Sequence, residues 1–134
     1  MGTPGFRRLP HTADCRLAIW GHGEEDLIRN AVLGTLRQAV DRPSRGEGGR
    51  WQRVSPWPSD LDARMVAAVN HALFNLYSRR LLVTDFAFRH DRGFVRLAPL
   101  SRQVLLREVK AATFHALTPR RRGRRLSVVL TLDL

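Results

Sequence analysis

The stretch of sequence that most strongly indicates the fold is Leu126-Ser127-Val128-Val129-Leu130-Thr131-Leu132-Asp133-Leu134. Its even-numbered positions are all leucine or valine, and this period of two predicts a strand with one buried face. We expect the strand to end with the side chain of Asp133 beside the α-carboxylate of Leu134. Two hard oxygen groups at one strand end are half of a Mg²⁺ or Ca²⁺ site, and a third carboxylate would complete it.

The candidate for that third carboxylate is Asp14, which comes directly before the apolar segment Cys15 to Trp20. The alternative is that Asp133 is a solvated terminal residue and Asp14 a turn residue. Spacing by itself favours this alternative, so the metal site needs a second argument.

The composition is that of a globular protein, and we expect one domain over residues 1–134. Apolar residues make up 43% of the chain. No run approaches the ~18 apolar residues that span a bilayer, and Met1 to Pro10 lacks the apolar region of a secretory signal. The single cysteine, Cys15, excludes an internal disulfide. A cytoplasmic protein without membrane contact is expected.

Positive charge is concentrated in the second half of the chain. The net charge is +11, and residues 79–125 contain 13 basic and 3 acidic residues. Arg120, Arg121 and Arg122 open a cluster that suits phosphate, either on RNA or on a nucleotide bound by a partner. The alternative is a coding bias, because 22 of the 23 basic residues are arginine.

Hydrophobic periodicity predicts the order strand–helix–strand–helix followed by four strands. That order indicates an α+β two-layer sandwich with two helices on one face of a mostly antiparallel sheet. In the second helix we expect Asn70 on the exposed face. The predicted segments are Cys15–Trp20, a helix with its apolar stripe from Leu27 to Val40, Arg50–Val54, a helix from Leu61 to Leu76, a hairpin of Leu81–Arg89 with Gly93–Leu97, and a hairpin of Glu108–Leu117 with Arg124–Asp133 that turns at Thr118-Pro119 and the arginine run.

Three segments together resemble the archease family. They are Leu9-Pro10-His11-Thr12-Ala13-Asp14-Cys15-Arg16-Leu17, then Glu108-Val109-Lys110-Ala111-Ala112-Thr113-Phe114-His115-Ala116-Leu117, and last Val128-Val129-Leu130-Thr131-Leu132-Asp133-Leu134. The segment Asn70 to Tyr77 is similar in placement and pattern. The resemblance covers nearly the whole chain, and the order and spacing of its segments are more specific than any one of them.

The resemblance implies an accessory protein and not an enzyme. Archeases assist an RtcB-type RNA ligase in tRNA splicing and RNA repair, and they promote guanylylation of a ligase that uses GTP and Mn²⁺. An association with tRNA methyltransferases is also attributed to the family. Its members bind a divalent cation through acidic residues, which would be Asp14 and Asp133 here, with the carboxylate of Leu134. The cation is Ca²⁺, Mg²⁺ or Mn²⁺, and GTP is expected on the partner ligase.

The remaining residues fit an activator better than a free-standing enzyme, because no nucleophile–histidine signature and no Walker-type loop is present. Lys110 is the single lysine, and its compact ammonium group would contact a phosphate as a point charge. The alternative is a solvated strand lysine. His11 would orient Asp14 by a hydrogen bond, or it would cap the first strand.

Two departures from the family pattern affect the expected site. Ser78-Arg79-Arg80 stands where archeases carry an acidic stretch, and Ala98 to Arg102 replaces a Gly-Glu pair. A further acidic side chain, either one that contributes to the site beside Asp14 and Asp133 or one that contacts the ligase, is therefore expected to be missing. The rival hypothesis is a basic RNA-binding module, which contacts tRNA directly, or a chaperone of a tRNA-modifying enzyme.

Overall fold

The computed structural model describes residues 5–9, 15–41, 49–101, 105–113 and 119–134. Within these ranges the chain forms eight strands and two helices. In chain order they are β1 (Phe6–Leu9), β2 (Cys15–His22), α1 (Glu24–Ala39), β3 (Arg50–Arg53), α2 (Leu61–Arg79), β4 (Leu81–Arg89), β5 (Arg92–Pro99), β6 (Ala111–Thr113), β7 (Arg120–Arg122) and β8 (Arg125–Asp133).

The long terminal strand β8 is the centre of a five-stranded sheet. The order is β1-β2-β8-β6, and β7 also pairs with β8, on the side opposite β2. A second sheet has the order β3-β5-β4, and every strand pair in both sheets is antiparallel. The period of two in β8 is present as predicted, since its buried positions include Leu126, Val128, Leu130 and Leu132.

Both helices pack against the buried faces of the sheets. The acidic first turn of α1, Glu24 to Asp26, complements the positive end of the helix dipole. α1 contacts β1, β2, β4 and β8, and α2 contacts β4, β5 and β6. Apolar side chains from the helices and both sheets form a hydrophobic core. The predicted α+β class is confirmed, with the difference that the strands divide into two sheets.

The hairpin of β4 and β5 is confirmed where the sequence placed it. Arg89 pairs with Arg92, and the turn residues His90 and Asp91 have φ of 51° and 60°. Positive φ at both central positions is the geometry that joins two twisted strands through two residues.

The arginine run was predicted as a turn, and this prediction is wrong. Arg120 to Arg122 form β7, and the turn to β8 is made by Gly123 and Arg124. Gly123 has a φ of 63°, which glycine adopts without the steric cost of a Cβ atom. The predicted strand Glu108–Leu117 is observed for Ala111–Thr113, and its residues 114–117 lie outside the described chain. β1 was not predicted. In the described chain, neither helix is long and apolar enough to cross a membrane.

Candidate functional site

Asp133 ends β8 at the edge of the core. Its neighbour Leu132 is fully buried, and alternation along the strand directs the carboxylate of Asp133 to the exposed side. The backbone N–H of Lys110 donates a 2.8 Å hydrogen bond to the carbonyl oxygen of Asp133. Lys110 and Leu134 are exposed as well. The structure therefore places the single lysine of the chain next to the predicted metal ligand.

The other two predicted members of this site, Asp14 and His11, lie outside the described residues. Cys15, which follows Asp14 in the sequence, is paired with Leu132 in the register of β2 and β8. Among the residues that the structure describes, no group of three or more His, Cys, Asp and Glu side chains is arranged to hold a metal ion. Of the predicted ligands, the described residues therefore include Asp133 and Leu134 but not a complete set.

Two polar side chains of α2 hold the segment that carries Lys110. The side-chain oxygen of Asn70 accepts a 2.8 Å hydrogen bond from the backbone N–H of Ala112. The hydroxyl of Tyr77 accepts one of 2.8 Å from the N–H of Val109 and donates one of 3.1 Å to the carbonyl of Arg107. These bonds fix the backbone on both sides of Lys110.

The role of Asn70 was missed, since the sequence placed this residue on the exposed face of the helix. A signal was available, because Asn70 and Tyr77 are seven residues apart and therefore lie on the same side of α2. That side also carries the buried Leu73. A polar residue within an apolar stripe needs a hydrogen-bond partner, and here the partners are backbone groups of another element.

Burial sets the protonation of two groups beside the site. It raises the pKa of the Tyr77 hydroxyl, with a smaller contribution from the Glu108 carboxylate, against a lowering by the bond from Val109. Tyr77 therefore stays neutral and can both donate and accept. Burial also raises the pKa of the Cys15 thiol, although Arg8 and Arg107 lower it. Cys15 is consequently a buried core thiol, and a thiolate ligand for a metal is disfavoured.

The structure does not bring the arginine run close to Asp133. Arg120 pairs with Ser127, Arg121 with Leu126 and Arg122 with Arg125. Ser127 and Asp133 are six residues apart on one strand, which is about 20 Å at ~3.4 Å per residue. All three arginines are exposed. They form part of a separate surface at the opposite end of β8.

A second polar cluster lies between β3 and α2, beside a depression of about 520 Å³ that includes Phe74 and Arg79 in its lining. His71 Nε2 is 2.8 Å from the side-chain oxygen of Gln52, and the amide nitrogen of Asn75 donates to the carbonyl of His71. Burial lowers the pKa of His71, and Arg79 lowers it further. The imidazole is therefore neutral at neutral pH and donates to Gln52.

The chain resembles known proteins in both sequence and fold. The family model described as Archease protein family (MTH1598/TM1083) matches residues 6–134. The chain therefore belongs to the archease family. Two curated proteins of Mycobacterium tuberculosis, from the CDC 1551 / Oshkosh and H37Rv strains, are both called "Probable protein archease". Each is 45% identical over 40 residues, which is 30% of this chain and 22% of the relative. The match thus spans about a fifth of the length of these relatives.

Two solved structures share the fold. An archease of Thermotoga maritima, described as a possible chaperone, has a TM-score of 0.65 at 20% identity and covers 100% of this chain and 98% of its own. Protein 1598 of Methanobacterium thermoautotrophicum has a TM-score of 0.70 at 22% identity and covers 98% of this chain and 100% of its own. At this identity the likeness concerns the fold alone. Membership of the archease family is consistent with a chaperone or activator role.

Proposed function

We propose that the chain is an accessory protein of an RtcB-type, GTP-dependent RNA ligase, and that it promotes guanylylation and multiple turnover of that enzyme in tRNA splicing or RNA repair. Membership of the archease family supports the accessory role. The observation that carries the proposed site is the exposed carboxylate of Asp133, held at the end of a buried central strand beside Lys110. GTP is bound by the ligase in this proposal.

The donor chemistry fits a hard divalent cation such as Ca²⁺, Mg²⁺ or Mn²⁺, because these ions take carboxylate and main-chain oxygen ligands. Asp133 would supply one carboxylate and Asp14 a second, with a main-chain oxygen of Leu134. The pairing of Cys15 with Leu132 supports this choice, since Asp14 precedes the first of these residues and Asp133 follows the second. A bound cation would neutralise charge on a phosphoryl oxygen.

The other residues at this end of β8 would neutralise a phosphate group or hold the groups of the site in position. Lys110 would contact a phosphate at the ligase surface with its ammonium group. Asn70 and Tyr77 keep the backbone around Lys110 in place through their hydrogen bonds to Ala112 and Val109. His11 would hydrogen-bond to Asp14 and orient its carboxylate.

The test is multiple-turnover ligation by the cognate RtcB-type ligase with GTP and Mn²⁺, with and without the protein. We expect wild-type protein to stimulate turnover and Asp133→Asn to abolish the stimulation, because the substitution removes the charge and keeps the shape. The matched control is Asp60→Asn, at the exposed N-cap position of α2, where the carboxylate makes no capping hydrogen bond. Absence of stimulation by folded wild-type protein would overturn the proposed function.

Calorimetric titration with Ca²⁺, Mg²⁺ and Mn²⁺ tests the cation site without the ligase. Wild-type protein and Asp60→Asn should bind one of these ions with equal affinity, and Asp133→Asn should bind it at least tenfold more weakly, since affinity depends on the number of charged ligands. Equal affinity in all three proteins would remove Asp133 from the site and leave the accessory role to the ligation assay.

A further inference from the structure

The two faces of the five-stranded sheet differ in their surroundings. One face packs against the helices and carries the buried side chains of the strands. The second face is formed by the residues that alternate with these along each strand, and no described helix packs against it. We call this second face the outer face. In the described strands it carries five arginines and one tryptophan, namely Arg7, Arg16, Trp20, Arg120, Arg122 and Arg125.

Cross-strand register arranges these side chains in rows. Trp20 is opposite Ser127, and Ser127 is opposite Arg120, so that an indole and a guanidinium group flank a small residue. In the adjacent row Arg125 is directly opposite Arg122. Neighbouring strands are about 4.8 Å apart, and outward residues on one strand are about 6.8 Å apart. Guanidinium groups at this spacing can contact successive phosphates of one extended strand.

The outer-face residues between the arginines have small side chains and form a depression. Ala18, Ser127 and Val129 lie in a depression of about 780 Å³ that Arg7, Arg16, Trp20, Arg120 and Arg125 border. The guanidinium carbon of Arg125 is 5.5 Å from the centroid of the Trp20 ring, within the range of a cation–π contact. Indole and guanidinium planes are both surfaces on which an unpaired base stacks.

The charge of the outer face is unbalanced. Its only acidic residue in the described strands is Asp133, which lies about 20 Å from the row of Arg120. None of the five arginines has an ion pair with a carboxylate of the described chain, whereas Arg29 and Arg64 on other surfaces are ion-paired. A coding bias towards arginine accounts for the number of arginines but not for the scarcity of acids on this face.

We propose that the outer face binds a single-stranded polynucleotide, with its phosphates on the five arginines and its bases against Trp20 and Arg125. A positively charged groove with an aromatic platform is the usual site for such a ligand. A duplex fits less well, because its bases are stacked inside and cannot reach Trp20. The choice of RNA as the polynucleotide rests on the proposed function, and the binding itself is measured without a ligase.

The probe is a 5′-labelled RNA strand of about 12 nucleotides, a length within the usual site size of such grooves, and the readout is fluorescence anisotropy at several salt concentrations. Five phosphate contacts predict a slope of about −3.5 in a plot of log affinity against log salt, since each contact contributes about 0.7 on a single strand. Affinity should then fall about 100-fold between about 50 and about 200 mM salt.

Two variants of equal charge distinguish RNA binding at the outer face from attraction of RNA by the net charge of the protein. One carries Arg120→Gln, Arg122→Gln and Arg125→Gln, and the matched control carries Arg53→Gln, Arg89→Gln and Arg92→Gln, which are exposed residues of the second sheet. The first should reduce the slope to about −1.4, and the control should keep it near −3.5. An equal loss in both variants would mean attraction by net charge alone and would overturn the proposal.

The variant Trp20→Leu tests the base contact. We expect at least a fivefold loss of affinity with an unchanged salt slope, because stacking on an aromatic ring is lost while the phosphate contacts stay. Near-ultraviolet dichroism and thermal unfolding confirm that each variant is folded. Failure of wild-type protein to bind the strand, or equally tight binding of the same RNA annealed to its complement, would overturn the proposal. A ligase stimulated by protein that does not bind RNA would keep the proposed function and remove this face from it.

Discussion

The hydrogen bond between Asn70 and Ala112 allows a sharp test of how α2 supports the strand next to Asp133. Ala112 is 5% exposed, and its N–H points to the side-chain oxygen of Asn70 at 2.8 Å. The variant Asn70→Leu keeps a similar volume and removes the acceptor. A buried N–H without a partner costs about 1–3 kcal/mol, so we expect a loss of about 1.5 kcal/mol in the free energy of unfolding. With a slope of about 1.5 kcal/mol per molar urea, the unfolding midpoint falls by about 1 M.

The variant Asn70→Asp is the matched control, because it retains an oxygen in the place of the acceptor. Urea unfolding should show most of the stability retained in Asn70→Asp and lost in Asn70→Leu. Hydrogen exchange gives a local readout, since the Ala112 amide should exchange at least about tenfold faster in Asn70→Leu only. Equal stability loss in the two variants, with unchanged exchange at Ala112, would refute the reasoning.

Three further predictions concern packing and protonation. Tyr77→Phe leaves the buried N–H of Val109 without an acceptor and should lower the free energy of unfolding by about 1–2 kcal/mol. A urea titration measures this loss, and an unchanged unfolding midpoint would show that water replaces the hydroxyl. Gly34→Ala places a Cβ atom 2.7 Å from the Phe6 ring, so β1 must shift, and thermal unfolding should detect a loss of about 1–3 kcal/mol; full stability would contradict this contact. Burial lowers the pKa of His71 below 6.5, so the folded state binds fewer protons and stability falls as pH decreases below about 6.5. Urea unfolding between about pH 5 and 7 should show this slope in wild-type protein and a smaller one in His71→Gln, and equal slopes would exclude His71 as its source.

The sequence predicted the elements whose signals are local. The period of two identified β8 and the hairpin of β4 and β5, and apolar stripes identified both helices. Each of these patterns involves residues that are close together in the sequence. Local signals failed for the arginine run. Three consecutive arginines look like a solvated turn, but pairing with a long partner strand stabilises β7 as an edge strand.

For the candidate site, the sequence and its resemblance to the archease family pointed to Asp133 and Lys110. They did not predict the hydrogen bonds that hold the backbone of these two residues in place. Their proximity depends on a hydrogen bond between two segments that are more than 20 residues apart in the sequence. The supporting bonds of Asn70 and Tyr77 were also outside the reach of the sequence, because a polar residue on a helix shows no sign of which backbone group it will meet.

By itself, the sequence determined the fold class, most of the strands and helices, the family and the excess of positive charge. Only the tertiary structure decided how that charge is distributed. It separated Arg120 from Asp133 by about 20 Å along β8 and placed Arg120 in one row with Trp20, which is 100 residues away in the chain. The physical reason is that the pairing register of strands, and not the spacing of residues along the chain, determines which side chains share a face.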